Sequence, residues 1–395
     1  MTSLADVTVV GAGIAGSVAA CLLCDRGLNV RLLDSHSEPM SAASRWNEGK
    51  LHLGYTYTGT DSLDTARLMI DGTANFERIL GEICGRRLMA TWWSRPIVYI
   101  VDRESIFPVE LLWARAMAVS RLVQQAASQL EAISLLEPLI PQRLAQSEAA
   151  SLRGDARNVA AWITGERSIS TGPVADMVAT AVKSRDIDVV QTQVSSVRPT
   201  GKRWTVRCCD GSSFESRGIV NCSWESRWLL DRALVPPNGE ISIRYKVALF
   251  GSDERLYERL QPCTRILGAF GDITPYADGN AYLSWYPAGL LAYSDDGSPP
   301  AISDTTDPQA IISDTLSALD LSDFSNPQWT VQGGFVVAAG RGDITDPRSS
   351  LHERCYARAE LLAPNYVSVD TGKYALGPLL AERAVELLLS AWTEQ

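Results

Sequence analysis

Histidine is scarce in this chain of 395 residues: His36, His52 and His352 are the whole supply, so each can be weighed singly. Long apolar runs are missing as well, and no stretch approaches the roughly 18 residues of a membrane span. The opening residues Met1 to Asp6 carry no basic cluster before the first apolar strand, so a signal peptide is not expected. Basic charge is in deficit: 36 Lys and Arg against 46 Asp and Glu leave a net charge of −10. Without a basic surface, neither nucleic acid nor an anionic membrane is an expected partner. The eight cysteines follow no repeating framework. Cys21 and Cys24 have the spacing of a redox pair but fall inside the first predicted helix, not at its start, where a thiol pKa would be lowered. They read as buried thiols. A reduced, cytoplasmic setting is expected, with no metal centre, and no internal repeat or low-complexity tract appears.

What is present is ordinary for a globular enzyme, 46% hydrophobic and 21% charged. The length predicts two domains. Eleven Trp against seven Phe is the unusual count; such rings can line a pocket, although core and interface packing is their commoner use.

The run Val7-Thr8-Val9-Val10 is β-branched and leads directly into Gly11-Ala12-Gly13-Ile14-Ala15-Gly16. From Ala15 to Asp25 apolar residues recur at helical spacing, and Gly27 supplies a stop. A second strand, Val30-Arg31-Leu32-Leu33, ends at Asp34. Strand, glycine turn, helix, strand and acid together predict a dinucleotide site; the plainer alternative is a parallel sheet with a glycine-rich turn. Gly11 permits the turn, Gly13 lets backbone N–H groups approach a pyrophosphate, and Gly16 lets the helix close on the strand. The helix N-terminus holds phosphate charge, while Asp34 accepts from ribose hydroxyls and repels a 2′-phosphate.

After Asp34 comes a small-residue stretch, Ser41-Ala42-Ala43-Ser44-Arg45, able to lie flat against an extended diphosphate. Trp46-Asn47-Glu48-Gly49-Lys50-Leu51-His52-Leu53-Gly54 follows. The placing of Ser44, Asn47, Gly49, His52 and Gly54 resembles the D-amino-acid oxidase superfamily, in which this segment passes along the flavin. Asp188 to Val197 is similar to that family's later strand pair, with Val194 on the adenine side. Trp204 to Trp224 resembles its hairpin and returning strand, although Cys222-Ser223-Trp224 stands where Ala-Ala-Gly-Ala-Trp is usual. The last similarity is Val369 to Pro378, with Thr371-Gly372-Lys373 in place of the common Gly-His-Gly. A helix then runs to about Ser390, and Pro378 suits its first turn.

The resemblance implies an α/β fold: a Rossmann-like FAD-binding domain of the glutathione-reductase type, with a discontinuous second domain built on a largely antiparallel sheet. The expected FAD domain comprises 1–85, 155–235 and 330–395; the expected substrate domain comprises 86–154 and 236–329, with strands at Ile97–Val101 and Ile241–Tyr245. Leu111 to about Glu137 reads as helical, and 294–308 as an exposed loop. FAD is the implied cofactor. Its expected contacts are Gly11, Gly13, Ile14, Ala15, Gly16, Asp34, Ser44, Arg45, Asn47, Gly49, Lys50, Leu51, Val194, Cys222, Gly340, Gly372, Lys373 and Tyr374.

Flavin chemistry needs few acids and bases, because the cofactor carries the redox step and the protein orients the donor. His52 is the candidate to polarise substrate or bond to flavin, with packing as the alternative. His36 reads as an exposed loop residue and His352 as part of a solvated helix start. Lys373 would place positive charge by the flavin or hold a substrate carboxylate; Arg341, in the glycine-rich turn after strand 333–339, is the other carboxylate candidate. In Gly279 to Pro287 the alternation puts Tyr282, Ser284 and Tyr286 on one face and Leu283 and Trp285 on the other; Tyr282, Trp285 and Tyr286 are the substrate candidates.

The expected reaction is oxidation of a C–N bond in a small amine or amino acid by hydride transfer to flavin N5. The imine is then hydrolysed and the flavin reoxidised by O2 or another acceptor. Flavin monooxygenation and a non-redox flavoprotein such as a sugar mutase are the alternatives.

Overall fold

The computed structural model describes residues 4–127, 137–152, 157–235, 240–303, 306–324, 328–340 and 344–393. Two large sheets organise them. The first grows from Ala5–Val10, whose Val7, Val9 and Val10 are almost completely buried. A β-branched strand covered on both faces belongs at the centre of a parallel sheet. Ala5–Val10 accordingly pairs in parallel with Val30–Asp34 on one side and Ser213–Asn221 on the other. Ile187–Gln191 and Tyr366–Asp370 extend the parallel set. Arg358–Ala363 closes one edge antiparallel, and the meander Val194–Thr200, Arg203–Cys208 joins Ser213–Asn221.

Helix Ile14–Asp25 leaves the first strand through the glycine turn and is buried along residues 14–23. A Cβ at Gly16 would lie 1.8 Å from the Gly11 carbonyl oxygen, so the close seating of this helix on the turn admits no side chain. Cys21 is buried inside it, and burial pushes its thiol up to about 12, which keeps it protonated and inert. Helices Thr171–Lys183 and Gly377–Thr393 pack against the same element.

The second sheet runs in the order Leu290–Ser294, Ile241–Ser252, Asn280–Trp285, Gly271–Pro275, Cys263–Ile266, Val98–Asp102, Asn158–Ile163, Gln142–Arg143, with Thr330–Ala339 on the other edge of Ile241–Ser252. It is antiparallel apart from the pair Cys263–Ile266 and Val98–Asp102. Its longest ladder holds Ile241 opposite Ala339 and Phe250 opposite Thr330. Leu249, Ile273, Leu283 and Phe324 form part of the core beneath one face.

Two strands expected in the first domain belong to this second sheet. Asn158–Ile163 bonds to Val98–Asp102, and Thr330–Ala339 to Ile241–Ser252, so the boundaries placed at 155 and 330 shift past them. The chain passes from one sheet to the other after Asp34, Ile163, Asn221 and Ala339. Between them a short ladder pairs Lys50–Leu51 with Arg167–Ser168. The helix expected from Leu111 begins at Val109, behind Pro108, and runs to Gln125; residues 128–136 lie outside the described set. Residues 295–303 form a loop as expected, although Gly297 is buried against Trp228. Trp92, Trp93, Trp162, Trp204 and Trp329 are buried. No described helix is long and apolar enough to cross a membrane.

Candidate active site

The carboxyl ends of the parallel strands open into a cleft, the place where a sheet of this kind receives ligands. Its walls are the glycine turn, Asp34, the loop Ser41–Ser44, Val194, Cys222 and the segment Thr371–Tyr374. At Gly11, φ is +94° and a Cβ would sit 2.5 Å from the Cys222 carbonyl oxygen, so the cleft floor is bare backbone by necessity. Asp34 Oδ2 accepts from the Ala12 N–H at 2.6 Å, and Oδ1 from the His36 N–H at 2.8 Å. Ser44 Oγ accepts from the Ile14 N–H at 2.9 Å, fixing the small-residue loop to the first turn of the helix. Asn47 braces that loop: its Nδ2 donates to the Ala43 carbonyl at 2.9 Å, and its Oδ1 accepts from the Gly49 N–H at 2.8 Å. Backbone floor, helix N-terminus, terminal carboxylate and a wall without bulk together fit the extended adenosine diphosphate half of FAD.

A second cavity adjoins the cleft between the two sheets. Both share Ala43, Asn47, Glu48, Lys50, His52, Phe335, Val336 and Lys373 in their walls. These residues can therefore touch a ligand from either side.

His52 is buried, and burial holds its imidazole below the usual range, hence neutral. Its Nδ1 lies 3.2 Å from Glu166 Oε1 but off the line of a hydrogen bond, and its Nε2 has no partner. Glu166 is wholly buried and accepts from the Leu53 N–H at 2.6 Å and from the Tyr99 hydroxyl. Burial opposes its ionisation, yet its surroundings, Lys50 and the Tyr99 hydroxyl among them, hold the carboxyl below its usual value. Glu166 thus anchors the His52 segment to the second sheet through Tyr99. Glu166→Ala is expected to lower the melting temperature by about 5 °C or more, because the Leu53 N–H and Tyr99 hydroxyl lose a buried charged acceptor. Glu166→Gln, which keeps an oxygen for Leu53, should recover part of that loss in the same thermal scan.

Lys50 lines both cavities, but its ammonium is committed to the second sheet. Its Nζ donates to Thr264 Oγ1 at 2.7 Å and Asp272 Oδ1 at 2.8 Å, and its side chain is 3% exposed. Burial alone would raise the Asp272 carboxyl, but Lys50 and Thr264 hold it at about 2. Lys373 faces Glu48 across 3.9 Å. Burial pulls its ammonium down to about 8; Glu48 resists, while Arg354, Lys50 and Lys246 add to the fall.

Several expected contacts stand back from the cleft. Gly16, Gly49 and Leu51 shape its wall from behind: Gly16 and Gly49 pack against carbonyls of Gly11 and Ile169, and Leu51 is core. Arg45 turns outward to pair with Asp176. Gly340 packs on Ser350 and lines neither cavity. Arg341 lies outside the described residues. Tyr282 and Tyr286 line the second cavity, whereas Trp285, on the opposite strand face, packs with Phe270 and Arg157. His36 is exposed at the cleft mouth as expected. His352 is not solvated: it is 7% exposed, lines the second cavity, and lies 2.9 Å by Nε2 from the Asp346 carbonyl.

The structure adds residues that the motifs did not single out. Trp224, at φ 49°, lines the cleft and donates from its indole N–H to the Phe335 carbonyl at 2.8 Å, a tie between the two halves. Glu225 also lines the cleft, its carboxyl pushed up to about 7 by burial and then by Asp34. Lys246 and Arg354 enter the second cavity. Lys246 had a signal: with Arg244 it places charge on alternate positions of an otherwise apolar strand. Arg354 had none.

Comparison with known proteins agrees with this geometry. The family model described as FAD dependent oxidoreductase (DAO) matches residues 6–317. No curated protein sequence matches the chain. Among solved structures it is similar to L-α-glycerophosphate oxidase from Mycoplasma pneumoniae with FAD bound, at 17% identity and a TM-score of 0.65 over 98% of this chain and 95% of that one. Glycine oxidase from Geobacillus kaustophilus is similar at 16% identity and a TM-score of 0.66, over 98% and 95%. L-amino acid deaminase from Proteus vulgaris is similar at 15% identity and a TM-score of 0.65, over 99% and 94%. With strand, glycine turn, cleft and family match in agreement, the chain belongs to the DAO family of FAD-dependent oxidoreductases.

Proposed function

We propose that this enzyme oxidises the C–N bond of a small amine or amino acid bearing a carboxylate. The observation that carries the reading is the convergence of Lys373 and Arg354 on the second cavity, where it adjoins the cofactor cleft. Lys373 stands in the wall the two cavities share and Arg354 in the second cavity; two such cations suit a donor's carboxylate, and fixing it there sets the neighbouring C–H bond toward the cleft. Tyr57, Tyr282 and Phe335 supply aromatic walls. Neutral His52, with Nε2 unpartnered, offers a hydrogen bond to the donor nitrogen. Bound FAD supplies the two-electron acceptor, restored afterwards by O2 or another oxidant. The substrate gives up a hydride from carbon and a proton from its unprotonated nitrogen. The resulting imine takes up water and separates into a carbonyl compound and an amine.

The test is anaerobic mixing of the holoenzyme with a panel of amino acids and secondary amines. Loss of the flavin's visible absorption, with one carbonyl product per flavin, is expected from at least one class. Persistent colour with every amine, combined with NADPH consumption in air, would transfer the chain to the monooxygenases.

A further inference from the structure

Two cations in the second cavity have no carboxylate partner among the described residues. Arg354 is 5% exposed; its Nη1 donates to the carbonyls of Leu351 and Glu353, and its Nε has no partner. Lys246 Nζ stands 4.7 Å from the centre of the Tyr286 ring and forms no ion pair. Arg244, two residues along the same strand face, is 3% exposed, also with Nε unpartnered, and its Nη1 reaches Tyr286 Oη at 3.4 Å. The acids in the cavity wall are engaged elsewhere, Asp272 by Lys50 and Thr264, and Glu48 by Lys373. Arg265, the remaining cation of the wall, donates to Asn158 and lies 3.9 Å from Asp102.

The unpaired cations come from opposite sides. Arg354 follows the turn Ser350–His352, is pinned by its N–H to Thr65 Oγ1 of helix Asp64–Cys84, and lies near Tyr57. Lys246 projects from the second sheet, opposite Gly334. Lys373 stands within the influence of both. A buried cation without a counter-ion is costly to the fold and persists where a ligand's charge completes it. With Lys373 already facing Glu48, one ligand carboxylate bridging Lys373 and Arg354 satisfies that side; it leaves Lys246 and Arg244 still in want of an anion.

We infer that the substrate of the activity proposed above, on which this inference rests, carries a second acidic group. Lys373 and Arg354 hold the carboxylate next to the reacting carbon, and Lys246, backed by Arg244, holds a carboxylate or phosphate at the other end.

Ligands that cannot be oxidised test this without turnover. The holoenzyme is titrated with butyrate, succinate and 3-phosphonopropionate, reading the perturbation of flavin absorption. A dianion is expected to bind at least about tenfold tighter than butyrate; whether succinate or the phosphonate leads tells which acidic group the site takes. Lys246→Met should erase the advantage while keeping the flavin spectrum and the butyrate affinity, and Lys246→Arg should restore it. Equal affinities in the unaltered enzyme, or a dianion advantage that survives Lys246→Met, overturn the inference. Bleaching by amines without dianion preference removes this inference alone; dianion preference with no bleaching by any amine removes the proposed activity alone.

Discussion

Gly11→Ala protein is expected to purify colourless and to stay so when FAD is added. At φ +94° an added methyl lies 2.5 Å from the Cys222 carbonyl oxygen and 2.8 Å from its carbon, both backbone atoms that cannot rotate aside. Left-handed strain adds about 1–2 kcal/mol and overpacking about 1–3 kcal/mol. The turn or the end of Ser213–Asn221 must shift, and either movement displaces the Ala12 N–H from Asp34 and the helix N-terminus from the pyrophosphate position. Gly27→Ala is the control: φ is +79°, but nothing lies within 4 Å of the added carbon. It should retain its flavin and lose only a little stability. The ratio of flavin to protein absorbance, with circular dichroism to show folding, reads both variants; a full flavin complement in Gly11→Ala would refute the role given to this turn.

The second large effect concerns Lys373. Lys373→Met should lower kcat/KM for a carboxylate-bearing donor about 100-fold, the usual consequence of removing one side of a desolvated charged contact. Its pH dependence follows from burial, which sets the ammonium at about 8 instead of 10.5. Below about 8 the group is charged and the carboxylate grip is complete; as pH rises through 8 the grip is lost. Plotted against pH, the dissociation constant of a carboxylate ligand should climb above that point in the unaltered enzyme and stay flat in Lys373→Gln. Stability moves the other way. Between about 8 and 10.5 the unfolded chain retains a proton on this residue that the folded one has shed, so its contribution to folding improves as pH rises. An affinity that holds level to pH 10 would remove Lys373 from the site.

The adenosine end of the cleft was legible in the sequence because its determinants are local. Gly11 and Gly13 act through backbone, Asp34 through its carboxylate, and all lie within one strand–helix–strand unit, so residue type and spacing carry the information. The second sheet was legible only in outline. Nothing within Asn158–Ile163 or Thr330–Ala339 states which sheet they will join; partners far along the chain decide it. The cavity between the sheets was least legible. Lys50 lies in the motif that passes the flavin, yet Asp272, 222 residues away, draws its ammonium into the second sheet. Arg354 and Glu166 owe their places to contacts with Thr65, Leu53 and Tyr99, on three separate segments. Trp285 shows the same limit in miniature: alternation separated it from Tyr282, but only the assembled sheets show which face meets the cavity.

The repeated passage of the chain between the two sheets restricts how this enzyme can admit its substrate. Swinging one half away from the other would require every connecting segment to bend together, along with loss of the Trp224 indole bond to Phe335 and the ladder of Lys50–Leu51 with Arg167–Ser168. A protease that severs one connection would still find both halves fastened by the others.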